Sequence, residues 1–241
     1  LGRLGLVEAH VRGVREDLIT LVPNGCDLEI FGDKTNPWRP EGVSQDDLMA
    51  VFTGTHGIAN GLDAALDSAE VLKKRGRSDI KLVLVGQGKQ KASLQERAKS
   101  DDLDNVIFHP PVNKEKLAGL LAGADLGMQL LANIPAFYYG TSPNKFFDYI
   151  SAGLPVLNNY PGWLSGMIGE HQCGFSVPPE DAEAFADALE QAAGDRSELI
   201  TMGDNSRKLA ESLFNRQNLA DQWVDWVTKK GTLSERVEVE A

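Results

Sequence analysis

The sequence predicts an α/β fold: a mainly parallel sheet flanked by helices, with a helical C-terminal extension. Between residues 49 and 177, short apolar runs alternate with helix-length segments, the pattern of repeated βαβ units. The runs are continuously apolar or β-branched, which suits strands covered on both faces. Gly, Pro or Asn bounds each of them, so every run stops on turn chemistry.

In chain order, strands are expected at 49–53, 80–85, 106–109, 126–130, 155–158 and 174–177. Between them, Leu62, Ala65, Leu66, Ala69 and Leu72 recur at helical spacing, as do Leu117, Leu120 and Leu121. Ala182, Phe185, Ala186, Leu189 and Ala193 form another stripe, with Glu180 and Asp181 at the end where negative charge complements the helix dipole. Two further helices are expected over 199–214 and 217–228. Before the α/β region, residues 1–38 read as a lead-in: a polar helical stretch, then a short strand ending at Pro23-Asn24-Gly25-Cys26-Asp27. Residues 39–230 form the domain with its C-terminal helices, and 231–241 a mobile tail with little to bury.

Composition narrows the function. The chain has 241 residues and a formal net charge of −11, the wrong sign for covering a polyanion, so nucleic acid is not an expected partner. A local basic pocket for one diphosphate remains compatible with that balance, because salt screens distant charges. Cys26 and Cys173 are far apart, and the four histidines show no paired ligand spacing, so no metal site is expected. The cysteines read as small buried hydrophobes in a reducing compartment, which predicts a cytoplasmic location. No run approaches the roughly 20 apolar residues needed to span a bilayer. The missing initiating methionine is expected of a fragment or processed chain.

In an open parallel sheet, ligands bind beyond the carboxyl ends of the strands, and four loops there carry chemistry. The first, 53–61, holds Thr55, His56, Gly57 and Asn60 between strand and helix; its glycines would admit a ligand to the backbone, or serve only as a flexible turn. The second is Val85-Gly86-Gln87-Gly88-Lys89-Gln90-Lys91, half of a dinucleotide fingerprint with its third glycine and its acidic residue missing. Gly86 and Lys91 are its candidates, Lys91 being a phosphate contact or a solvated surface lysine. The third, His109-Pro110-Pro111-Val112-Asn113, is a rigid platform on which Val112 could meet a planar base. The fourth, 137–156, contains Gly140-Thr141-Ser142-Pro143-Asn144-Lys145 and then Asp148. Ser142 is expected as N-cap with Pro143 in the first turn, making an anion site beside Lys145, and Asp148 could accept bonds from ribose hydroxyls or lie solvated on the helix.

Taken together, these segments resemble, from about residue 20 to 228, the C-terminal domain of family-4 glycosyltransferases, whose two Rossmann-like domains form the GT-B fold. The similarity rests on Pro23-Asn24-Gly25-Cys26-Asp27 with Phe31, Gly54 to Gly61 followed by Leu62-Asp63, and Leu84-Val85-Gly86 with Gly88. It continues through Asn105-Val106-Ile107-Phe108 with Val112, Ala124-Asp125, and Ala152-Gly153 with Pro155-Val156. The resemblance implies retaining transfer of a sugar from a nucleoside diphosphate to an acceptor hydroxyl, with no cofactor or required metal. It places donor contacts at Thr55, His56, Gly57, Asn60, Gly86, Lys91, Val112, Gly140, Thr141, Ser142, Asn144, Lys145 and Asp148, and the catalytic residues outside this chain.

Of the family's paired glutamates, the ribose-binding second falls on Asp148 and the sugar-binding first on Gly140. Its usual arginine and lysine fall near Thr55 and Asn60, so the diphosphate charge must be met from Lys91, Lys145, the helix start at Ser142–Lys145 or another domain. The Ser142-Pro143-Asn144-Lys145 variant resembles a bacterial surface-polysaccharide subgroup that commonly uses UDP-linked N-acetylated amino sugars. That implies a lipid-linked or saccharide acceptor, an N-terminal GT-B domain without which this chain is inactive, and peripheral attachment at the inner face of the plasma membrane. A non-catalytic nucleotide-sugar-binding module and a GT-B sugar-nucleotide epimerase are the alternatives.

Overall fold

The structure, a computed structural model, describes residues 13, 15, 18–32, 35–138 and 140–238, with side chains described up to residue 229. Six parallel strands form one sheet: β1 (Leu48–Thr53), β2 (Ile80–Val85), β3 (Val106–His109), β4 (Leu126–Gln129), β5 (Val156–Asn158) and β6 (Gly174–Ser176). Their spatial order is β3-β2-β1-β4-β5-β6. Each was expected, with ends displaced by at most one residue, where edge pairing gives out.

Nine helices are described: α1 (Asp63–Lys74), α2 (Lys91–Ser100), α3 (Lys114–Gly123), α4 (Pro135–Tyr138), α5 (Asn144–Ser151), α6 (Trp163–Glu170), α7 (Ala182–Gly194), α8 (Arg196–Leu213) and α9 (Arg216–Glu238). The sheet separates two apolar cores. On one face Ala50, Phe52, Leu82 and Leu84 pack against Leu62 just before α1, Leu66 and Leu72 of α1, Leu94 of α2 and Phe185 and Leu189 of α7. On the other, Met49, Val51 and Val83 pack against Leu120, Leu121 of α3, Phe146, Ile150 of α5, Leu164 of α6 and Leu209 of α8. All six residues of β1 are buried, which is why no polar alternation marks that strand.

One sequence expectation changes in the lead-in segment. The short strand before Asp27 is not formed; Cys26 makes only an isolated bridge to Asn215. Pro23 lacks a donor for a ladder, and a Cβ at Gly25 would lie 2.9 Å from the Arg216 backbone, so this segment crosses α9 too closely for a strand. Past Gly231, the last helix continues to Glu238. The polar helical stretch expected in residues 1–20 falls mostly outside the described residues.

At the amino ends of the strands, Arg39 donates to the Gly123, Ser44 and Asp47 carbonyls and to the Asp125 carboxylate at 2.9 Å. Asp125 also receives Arg196 at 2.6 Å and the Met49 amide at 2.7 Å. One carboxylate thus ties the approach to β1, the start of β4 and the start of α8.

Candidate functional site

Strand order reverses between β1 and β4, so the connections after these two strands leave on opposite faces and open a crevice at their carboxyl ends. The first loop, the 3-10 turn Ile58–Asn60 and the segment after Leu131 meet there, joined by the Ala132 amide donating to the Ala59 carbonyl at 3.0 Å. Gly57 precedes that turn in extended conformation.

The two glycine-bearing loops after β1 and β2 pack on each other. His56 exchanges backbone bonds with Gln87 and Gln90, and a Cβ on Gly86, which has φ +152°, would fall 1.8 Å from the Gly54 carbonyl oxygen. Gly86 is therefore needed for loop-to-loop contact. The His56 ring is fully buried between Phe52 and Phe108, at centroid distances of 6.2 Å from each. Burial first, and the nearby Lys91 charge second, push its pKa down to about 4, so at neutral pH it is an uncharged wedge. Lys91, one of the expected phosphate contacts, gives its Nζ to the carbonyls of Gly86 at 2.7 Å and His109 at 3.0 Å. It thereby joins the ends of β2 and β3.

The fourth loop leads into α5, an eight-residue helix too short to hold itself in water. Phe146, Phe147 and Ile150 are buried, and each contributes roughly 1.5–3 kcal/mol of apolar burial that fixes the helix in place. Tyr149, fully buried, reaches under the sheet; its hydroxyl accepts from the Thr53 amide at 3.0 Å and lies 3.4 Å from the Met128 carbonyl. It thus ties α5 to both strands of the crevice. A Cβ at Gly127 would come within 2.5 Å of this ring, so β4 carries glycine there.

Ser142 does not cap the helix. Pro143 occupies the N-cap position with φ −79° and ψ 125°, no side chain caps the first turn, and α5 starts at Asn144. The cause lies outside the helix: Asn24 donates to both the Ser142 carbonyl, 3.0 Å, and Asn144 Oδ1, 2.9 Å, holding this corner to the lead-in segment. Thr141 is likewise engaged, its hydroxyl donating to the Phe137 carbonyl and its own carbonyl accepting from Trp163 Nε1 at 2.8 Å. Gly140 is half-buried beside it.

Lys145 and Asp148, one helical turn apart, occupy the stripe of α5 that is not in the core. Lys145 is half-buried and lies across Phe52, with Nζ 4.8 Å from the ring centroid; it donates to Asn60 Oδ1 at 3.0 Å. Burial pushes its pKa down to about 8. Asn60 in turn donates to the Thr55 carbonyl at 2.7 Å. Asp148 is also half-buried, and burial raises its pKa despite the opposing charges of Lys114 and Arg216. Those two cations are engaged with Asp27, at 3.0 and 3.1 Å, and hold its carboxyl below the usual range against the effect of burial. Among the described residues, neither Lys145 nor Asp148 forms a salt bridge. Val112 packs at the edge of the lower core, beside Lys114.

The structure therefore gathers Thr55, Asn60, Lys145 and Asp148 at the crevice and gives Gly86 and Lys91 architectural roles. Asn24, Phe52, Lys114 and Arg216 border the site without having been expected there. Asn24 was legible as a motif residue, but its contact with α5 spans more than a hundred residues of sequence. A separate cavity of about 630 Å³, bounded by Phe31, Asp125, Pro155 and Arg207, opens at the amino ends of the strands. That is the wrong end of a parallel sheet for the ligand geometry described above. Among the described residues, no helix is long and apolar enough to cross a membrane.

A parallel sheet in this order, with Lys145 and Asp148 on helix α5 after β4, is a Rossmann-like α/β domain. Comparison with known proteins narrows the class: the family model for glycosyl transferases group 1 matches residues 34–209, and the chain belongs to that family. O-antigen chain mannosyltransferase C of Escherichia coli is 23% identical over 217 residues, covering 88% of this chain and 55% of that protein. D-inositol 3-phosphate glycosyltransferase of Arthrobacter sp. (strain FB24) is 28% identical over 203 residues, covering 80% and 45%. The chain thus spans about half the length of the curated relatives it matches. Among solved structures, HepE of Anabaena in complex with UDP superposes with a TM-score of 0.74 at 15% identity, covering 95% of this chain and 62% of that one. WaaG, a glycosyltransferase involved in lipopolysaccharide biosynthesis, superposes at 0.67 with 18% identity, covering 88% and 57%. The Rossmann-like fold is that of one half of the GT-B architecture.

Proposed function

We propose that this chain is the donor-binding half of a retaining glycosyltransferase that builds a bacterial surface polysaccharide. The observation that carries the reading is the pair Lys145 and Asp148: a half-buried cation and a half-buried anion on one helical stripe, neither of them in a salt bridge among the described residues. Desolvating an unpaired charge is unfavourable, and a nucleoside diphosphate answers both needs. Its phosphates would take the Lys145 ammonium, and its ribose hydroxyls would donate to the Asp148 carboxylate. The base would lie toward Val112, and the sugar toward Gly140.

In transfer, the bond from the anomeric carbon to the diphosphate oxygen breaks, and negative charge grows on the leaving diphosphate. A positioned ammonium lowers that barrier because it meets charge that develops in the transition state. The chain's own cation serves here, so the reading calls for no metal or cofactor. The donor we propose is a UDP-linked N-acetylated amino sugar; the relatives named as mannosyltransferases make a mannosyl donor its competitor. Relatives and neighbours named for O-antigen, colanic acid and lipopolysaccharide synthesis support a role in surface-polysaccharide assembly, and the acceptor we propose is a saccharide or lipid-linked saccharide at the inner membrane face. The acceptor would be held by an N-terminal domain such as the rest of those longer proteins, so this half alone should catalyse no transfer.

Calorimetry with UDP, GDP and NAD tests the reading. Weak but measurable binding of UDP or GDP, and none of NAD, is expected. Asp148→Ala and Lys145→Met should each weaken UDP roughly ten- to hundred-fold, the loss of one charge-assisted hydrogen bond. Tight NAD binding, or UDP affinity indifferent to both substitutions, would overturn it.

A further inference from the structure

We infer that Asn60 is a positioning residue that presents the Lys145 ammonium to the diphosphate, as part of a cradle built by the first loop. The inference rests on the donor-site reading above and adds how its cation is set in place.

The residues form a continuous chain of contacts. The Thr55 carbonyl accepts Asn60 Nδ2 at 2.7 Å, which fixes the amide orientation and leaves Oδ1 facing Lys145 Nζ at 3.0 Å. Below the ammonium lies the Phe52 ring, 4.8 Å away, whose π face favours a cation. A Cβ at Gly54 would come within 3.2 Å of Lys145 Cε, so the absence of a side chain there leaves a channel for the lysine stem. Asn60, Phe52 and Gly54 all belong to β1 or its loop, while Lys145 belongs to α5; the amide therefore spans the switch-point crevice.

The chemistry of these partners indicates positioning rather than neutralisation. An amide oxygen and an aromatic face orient an ammonium without cancelling its charge. A carboxylate at position 60 would have cancelled it. The lysine has four rotatable side-chain bonds, and holding it in advance removes an ordering cost of about 0.5–1.5 kcal/mol that nucleotide binding would otherwise bear. That corresponds to roughly a two- to ten-fold difference in Kd.

The test is UDP calorimetry on this chain for wild type, N60L, K145M, the N60L/K145M double variant and N60K/K145M, at one ionic strength. N60L should weaken UDP two- to ten-fold, and the double variant should bind no worse than K145M alone, because Asn60 acts only through the lysine. N60K/K145M should recover most of the affinity lost in K145M, since it returns an ammonium to the same crevice from the other wall. UDP binding that K145M weakens but N60L leaves unchanged, or losses that add in the double variant, would defeat the positioning role while the donor-site reading stands. Failure of wild type to bind UDP or GDP defeats the donor-site reading itself. If N60L does not fold, N60D replaces it: a carboxylate there should compete for Lys145 and weaken UDP as much as K145M does, and wild-type affinity in N60D would overturn the inference.

Discussion

Buried titratable side chains set the pH behaviour of this domain. His56 has a folded pKa near 4 against 6.5 when unfolded, so the unfolded chain takes up the proton first as pH falls. Its contribution is therefore fully present above pH 6.5 and is lost between 6.5 and about 4, amounting to roughly 3 kcal/mol. Urea midpoints measured from pH 7 to pH 4.5 should fall in wild type and fall less in His56→Leu. Asp148 acts with the opposite sign. Its carboxyl is raised in the folded state, so its charge opposes folding at neutral pH, and that opposition disappears as pH drops below the unfolded carboxylate range. Asp148→Asn should accordingly raise Tm at pH 7 while weakening UDP, with the Tm gain shrinking in acid. Loss of UDP affinity without any gain in Tm would remove the stability half of this argument. Residue types at these positions were legible in the sequence, and their partners were not. Lys91 read as a helix lysine near a phosphate because two backbone carbonyls leave no trace in composition.

Elements explain why the crevice holds its shape. Helix α5 carries its polar stripe between buried aromatics, and Tyr149 fastens it to the two strands that flank the crevice. Gly127→Ala would drive a methyl group into that ring, 2.5 Å away, and should destabilise the domain by about 1–3 kcal/mol through overpacking. Equilibrium unfolding checks the cost, and UDP affinity should fall with it because the lysine and aspartate ride on the same helix. Strand and helix positions were read well because their signal is local: apolar runs, stripes at helical spacing and punctuating glycines. The start of α5 was misread because Asn24, far away in sequence, sets it. Ser142-Pro143 satisfied the local rule for a capped helix, and a tertiary hydrogen bond displaced it.

For the whole molecule, Asp125 is the point where separate parts depend on one side chain. Its substitution by Ala leaves Arg39 and Arg196 facing each other without a counter-ion and the Met49 amide without its acceptor. A loss of roughly 2–4 kcal/mol is expected, since removing one member of a largely buried ion pair strands the other. The urea midpoint should drop with the m-value unchanged; no change in midpoint would show the network to be ornamental. The fold class and strand sequence could be read without coordinates because βαβ periodicity is local, but the switch point could not be placed until strand order was known.

That order also governs how the chain comes into being. The inner edge of β1 pairs with β4, which is made only after two complete βα units have followed β1. During synthesis β1–β3 can assemble as they emerge, but one side of β1, buried at all six positions in the finished fold, stays unpaired until β4 arrives. An open, largely apolar strand edge is a template for the wrong partner. The ligand crevice and the most aggregation-prone moment of biogenesis thus share a location, and a ribosome pausing before residue 126 would prolong that exposure.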